Sequence, residues 1–209
     1  MFIPIVLISL FVVLGVWIFA SWRTAKNIEE PSYQVLEEKN GYEIRQYEKM
    51  LLASVEVEGD FRKSLSAGFA VLGGYIFGNN VSSQKISMTA PVTEQKGKKI
   101  AMTAPVTQQD GEKTRITFTM PSEYTKQTLP KPKDSRIQFM EVPPQKRAAL
   151  KFSWGYPGAK RILSKKEQLL RFLERDGVVH EGEPLYAGFS APITFPPMFR
   201  NEIQVLLSE

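Results

Sequence analysis

The phrase Lys85-Ile-Ser-Met-Thr-Ala-Pro-Val-Thr93 returns as Lys99-Ile-Ala-Met-Thr-Ala-Pro-Val-Thr107, fourteen residues later and with one change, Ser87 against Ala101. Apolar side chains take alternate positions in each copy: Ile86, Met88, Ala90 and Val92, then Ile100, Met102, Ala104 and Val106. Ser87, Thr89 and Thr103 point the other way. A period of two with β-branched residues predicts half-buried strands. The connector 94–98 contains Gly97, so the two copies are expected to pair as a hairpin. Pro91 and Pro105 cannot donate to a ladder, which places these strands at an edge or puts a bulge in them.

Upstream of the repeat, Phe61, Leu65, Phe69, Leu72 and Ile76 recur at helical spacing after Asp60, a suitable N-cap, and Gly78 ends the run. Gly68, Gly73 and Gly74 lie inside that helix, each at a cost of about 1 kcal/mol relative to alanine. Close packing on a sheet, or a ligand lying against bare backbone, would offset it. Earlier still, strands are expected over 33–38, 42–47 and 50–57, the first two joined by the Asn40-Gly41 turn. Downstream, strands are expected over 114–120, 136–142, 146–154, 185–192 and 201–207. A second amphipathic helix ends at Gly177 and starts either at Pro157 or, on the Ser164-x-x-Glu167 capping box, near Lys165.

Each half of the chain thus runs strand, strand, helix, strand, strand. The expected fold class is α+β: two pseudo-symmetric ββαββ-like halves forming one curved or barrel-like antiparallel sheet, with two helices packed outside. An N-terminal transmembrane helix precedes it, since residues 1–22 carry no charged side chain and suffice to span a hydrocarbon core. Trp17 and Trp22 suit an interface, and Arg23 and Lys26 follow. The segment lacks a basic n-region and a small-x-small cleavage site, so it reads as an uncleaved, single-pass anchor rather than a signal peptide. Residues 1–23 are the expected anchor, 24–32 a polar linker and 33–208 the folded domain. Positive charge after the span puts that domain in the cytoplasm by the positive-inside rule.

The 209 residues carry a net charge of +5, with lysines and glutamates interleaved, and this scattered basicity does not form a nucleic-acid stripe. There is no cysteine and one histidine, His180. Disulfides, thiolate metal sites, cysteine nucleophiles and any site needing two imidazoles are therefore excluded. No phosphate loop, zinc motif, calcium loop or Gly-x-Ser-x-Gly elbow is present.

Four phrases occur in order: Tyr42-Glu-Ile-Arg45, the Met-Thr-Ala-Pro-Val repeat, Leu129-Pro-Lys-Pro132 and Phe199-Arg-Asn-Glu-Ile203. Together they resemble the SOUL haem-binding protein family over roughly residues 32–208, and the doubled repeat looks like some bacterial members. The resemblance implies two pseudo-symmetric α+β halves, akin to bacterial effector-binding domains, and binding of haem or another tetrapyrrole. It places the ligand surface on the first helix of the domain, near Ser66, Phe69 and Gly73, and on the loop before the last strand, Phe195 to Arg200, including Met198. Some members carry basic residues on that helix to meet the propionates; the matching positions here, Ser66 and Gly74, are uncharged. Arg62, Lys63 and Arg200 are the substitutes within reach.

The expected protein is a non-catalytic carrier or buffer holding a tetrapyrrole chiefly by apolar contact. Phe69, Leu72, Tyr75, Phe195 and Met198 would supply area, and His180, in a loop, would not ligate iron. Another flat amphipathic ligand, or a protein partner, is the alternative. A hydrolase in the same cleft, using Glu202 with Trp154 or Tyr186, rests on fold analogy alone.

Overall fold

A computed structural model describes residues 2–26, 28–59, 61–87, 89–96, 113–191 and 193–208. Its elements in chain order are α1 (Phe2–Lys26), β1 (Tyr33–Lys39), β2 (Tyr42–Tyr47), β3 (Met50–Glu58), α2 (Phe61–Ile76), β4 (Val92–Lys96), β5 (Lys113–Thr119), β6 (Gln138–Val142), β7 (Gln145–Phe152), α3 (Ala159–Asp176), β8 (His180–Gly188) and β9 (Asn201–Leu207). A 3-10 turn, Pro196–Met198, precedes β9.

The nine strands among the described residues form one antiparallel sheet in the order β1-β2-β7-β9-β8-β4-β5-β3-β6. With β1 set aside, that order is a palindrome under the exchange of β2 with β6, β3 with β7, β4 with β8 and β5 with β9. The two halves are thus related as expected, with one addition that the order of elements did not disclose. The first strand of each half pairs into the other half: β2 lies on β7, and β6 on β3. The halves otherwise meet where β4 pairs with β8, through Val92, Thr93 and Glu94 opposite Gly188, Ala187 and Tyr186.

Alternation on the strands decides which face each helix covers. Ala53, Val55 and Val57 of β3 with Ile116 and Phe118 of β5 bury against Leu72, Tyr75 and Ile76 of α2. Ile44, Ala148, Leu150, Ile203 and Val205 bury against Ile162, Leu169 and Leu173 of α3. Gly68 is the α2 glycine whose reason is plain: a Cβ there would overlap the Ile116 side chain. Gly177 ends α3 at φ 67°, with Val178 N–H bonded to Leu173 O (2.9 Å) and Gly177 N–H to Glu174 O (3.2 Å), a Schellman close. The helix begins at Ala159, past Pro157, and runs through Ser164, so Ser164-x-x-Glu167 lies inside it and caps nothing.

The repeat departs most from expectation. In the first copy the strand begins only at Val92, and it is a central strand rather than an edge. Val92 and Thr93 have β5 on one side and β8 on the other. Pro91 stands just outside β4, where its missing N–H interrupts no ladder. The preceding donors are committed elsewhere: Ile86 N–H to Ile76 O (2.7 Å) and Ala90 N–H to Glu29 O (2.9 Å). The second copy, and with it the expected hairpin between copies, lies outside the described residues, as do Asp60 and Met88. His180 opens β8, paired with Leu207, rather than lying in a loop.

Candidate ligand-binding cleft

A cleft of about 430 Å³ lies over the β4–β8 seam. One wall is α2, through Leu65, Ser66 and Phe69; the other is the loop entering α3, through Tyr156 and Pro157, with Phe189. Its floor is Ala90, Val92, Tyr186 and Gly188, and Ile28 reaches it from the segment after α1. A pocket of this size, mostly apolar and at a junction between two structural halves, matches the usual form of a small-molecule site.

Sequence dictates this shape locally. Phe69 is one helical turn from Leu65, so both face the sheet. Its ring meets Phe118 edge-on at 5.3 Å and leaves its remaining face to the cleft. Gly188 keeps the floor low, since a Cβ there would stand 3.0 Å from the Tyr186 hydroxyl. That hydroxyl donates to Asn201 Oδ1 (2.8 Å), and Asn201 Nδ2 donates to Gly155 O (3.1 Å). The floor, the last strand and the far wall are thereby tied together.

Of the residues expected at a ligand surface, Ser66 and Phe69 line the cleft. Gly73 is buried in α2, where a Cβ would meet the Phe69 ring at 3.4 Å. Phe195 packs edge-on against Trp17 of α1 at 5.1 Å, and Met198 is partly exposed on the 3-10 turn; neither lines the cleft. Leu72 and Tyr75 are core, the Tyr75 hydroxyl donating to Pro130 O (2.8 Å). The side chain of Arg62 lies outside the described residues. Sequence reading missed Tyr156, Phe189 and Ile28, because nothing in their local pattern shows that two chain halves fold so as to bring them opposite α2.

Arg200 stacks over Phe189 at 4.1 Å, behind the wall. It holds Glu30 (Nη1 to Oε2, 2.7 Å) and Glu202 (Nε to Oε1, 3.0 Å). Glu202 is fully buried and also receives Arg45, Nη1 to Oε2 at 2.8 Å and Nη2 to Oε1 at 3.1 Å, and Gln204 Nε2 at 2.7 Å. Burial works against the Arg45 and Arg200 charges, yet the carboxylates beside them outweigh it and raise both guanidinium pKa values. Glu202 is therefore a fully engaged structural carboxylate outside the cleft lining. The hydrolase reading that needs it facing a substrate is not supported by this geometry.

The cleft is lined mostly by apolar side chains, with Phe69 on one wall and Tyr156 and Phe189 on the other. Among the described residues its lining carries no charged side chain and no histidine or methionine; Tyr156 and Tyr186 are its side chains of a type that can ligate haem iron, and the Tyr186 hydroxyl is bonded to Asn201.

The chain matches the family model described as SOUL heme-binding protein over residues 28–206, and it belongs to that family. It is similar to Heme-binding protein 2 of Homo sapiens, 29% identical over 175 residues that cover 81% of this chain and 82% of the human one. It is likewise 29% identical over 174 residues to Heme-binding protein 2 of Mus musculus, covering 82% and 78%. Among solved structures, the EcmrR C-terminal domain superposes with a TM-score of 0.57 at 12% identity, covering 85% of this chain and 98% of that one, a likeness of fold.

Proposed function

We propose that this chain is a membrane-anchored, non-catalytic binding protein for haem or a related tetrapyrrole, held in the cleft between α2 and the loop entering α3. The observation that carries the reading is the aromatic-walled cleft over the seam in a chain of the SOUL family. Phe69 on one side and Tyr156 and Phe189 on the other would contact the macrocycle faces, with Ser66 and Gly188 leaving room for its edge. Bound haem would bring its own iron chemistry, and the described lining would supply chiefly apolar contact. Lys63 and Arg62 on the first turn of α2 are the cations assigned to the propionates. Arg200, committed to Glu30 and Glu202, serves instead to hold Phe189 in place. Residues 1–23 form the anchor: α1 is about 37 Å long at the α-helical rise, enough to cross a bilayer. The domain lies on the cytoplasmic side.

Haemin titration into the full chain in nanodiscs tests this. A saturable Soret shift at micromolar ligand is expected, weakened about tenfold by Phe69→Ala and unchanged by His180→Ala. Metal-free protoporphyrin should bind within a few-fold of haemin. Absence of a saturable shift, or dependence on His180, would overturn the reading.

A further inference from the structure

The end of α1 does not lead into a free tether. The Trp17 indole N–H donates to Ile193 O at 2.7 Å, the Phe195 N–H donates to Ser21 Oγ at 2.9 Å, and Ser21 is buried by the contact. The loop before β9 is therefore fixed against the last turns of the apolar helix. Trp17 precedes Arg23, the first charged residue, by six residues, or about 9 Å along the helix axis. If Arg23 marks the headgroup level, the loop that Trp17 holds sits at the headgroup–acyl boundary, the depth that interfacial segments occupy.

Two independent features suit that depth. The first is exposure. Ile193 is 66% exposed and Met198 36%, and beside them Trp154 is 66% exposed and Tyr156 55%. The two loops are joined, since Gly155 N–H donates to Pro196 O (2.9 Å) and Tyr156 meets Phe199 at 4.9 Å. Trp154 sits at φ 77°, a conformation that disfavours a large side chain, and Arg161 holds the loop there through the carbonyls of Ser153 (2.6 Å) and Trp154 (2.9 Å). Among the described residues the indole is left largely uncovered. The second feature is the backbone. The N–H groups of Thr194, Phe195, Met198, Phe199 and Arg200 are all bonded within the protein, and Pro196 and Pro197 have none. From Thr194 to Arg200 no backbone N–H needs water, which suits a segment at membrane depth.

We propose that the described residues of the two loops, 153–157 with 190, 191 and 193–198, lie in the interfacial layer of the bilayer that α1 spans, inserting Trp154, Ile193 and Met198. The cleft then opens at the lipid boundary, because Tyr156, Ser190 and Ala191 belong both to these loops and to its wall. A flat amphipathic ligand partitioned into lipid enters without crossing water. The inference rests on α1 being a membrane anchor.

The natural absence of cysteine allows a direct test. Single-cysteine forms of the full chain, Leu10→Cys, Trp154→Cys, Val179→Cys and Ile193→Cys, carry an environment-sensitive fluorophore in nanodiscs containing doxyl-labelled lipid. All four positions are exposed, and Val179 follows the far end of the 18-residue α3. Quenching at 154 and 193 is expected to approach that at 10 and to exceed that at 179 several-fold. Quenching at 10 with none at 154 and 193 would overturn the docked loops and leave the anchor standing. No quenching at 10 would overturn the anchor, and the inference with it.

Discussion

Asp176, the last residue of α3, receives two hydrogen bonds from Arg175, Nε at 2.7 Å and Nη2 at 2.8 Å, and a third from the Tyr42 hydroxyl at 3.0 Å. The Arg175 bonds do most to hold its carboxyl down at about 2; desolvation opposes them and Tyr42 assists. A depressed carboxyl favours the folded state above its ordinary value of 3.8, and the benefit is lost as pH falls through about 2. Tyr42→Phe removes one donor, so the Asp176 titration, followed by carboxyl carbon NMR, is expected to move up toward 3.8 and the acid-sensitive window with it. An unmoved titration would assign the depression to the cations, Arg175 foremost and Lys39. In the Glu202 network, Glu202→Gln leaves the Arg45 guanidinium buried with Glu43 as its remaining carboxylate, 2.8 Å away. Breaking a buried pair from one side costs about 3 kcal/mol, which urea unfolding of the detergent-solubilised chain would read as a lower midpoint at unchanged slope. Arg200 and Glu202 stand two residues apart in the chain, so their pairing is local. That of Arg45 is not, because its approach depends on β2 crossing to pair with β7 in the other half.

At the scale of elements, α2 carries its glycines for unequal reasons, and substitution should separate them. Gly68→Ala adds helix propensity of about 1 kcal/mol, but its Cβ overlaps a fully buried Ile116 on β5. Overpacking at such a contact costs about 1–3 kcal/mol, so a net loss of about 1 kcal/mol and a melting temperature 2–4 °C lower are expected. Gly74→Ala meets its nearest neighbour, Asn79, at 4.0 Å and should instead stabilise by a few tenths to about 1 kcal/mol. Equal effects at the two positions would mean that helix propensity, not packing, governs both. Helical spacing made α2 and α3 readable almost to their ends, because one buried stripe per helix is a local pattern. The repeat misled for the opposite reason. Its alternation is that of a strand, yet Ile86 and Ala90 give their N–H groups to Ile76 and Glu29, partners that no local pattern reveals. A strand needs an adjacent strand, and only Val92 onward finds one on each side.

For the whole molecule, the seam is the feature on which the proposed function depends. Outside the swapped strands β2 and β6, the halves are joined by three residue pairs between β4 and β8, and the proposed ligand would lie across that joint with Phe69 on one half and Phe189 on the other. Cleft residues 92, 186 and 188–191 lie close to the seam in space but belong to opposite halves of the chain, which is why the cleft was legible on its α2 side and not on its other. A ligand that touches both halves stabilises the folded state as a unit. At one hundred times its dissociation constant it contributes about 2.7 kcal/mol, or roughly 5–11 °C in melting temperature for a chain of this size. Hydrogen exchange should locate the effect. Saturating protoporphyrin is expected to slow exchange at the amides of Val92, Thr93 and Ala187 by at least tenfold, while those of β1 and β6, at the sheet edges, stay within twofold of the free protein. Phe69→Ala should abolish the protection in proportion to the affinity it removes. A ligand that raised the melting temperature yet left the seam amides unchanged would be bound elsewhere, and the cleft would lose its role.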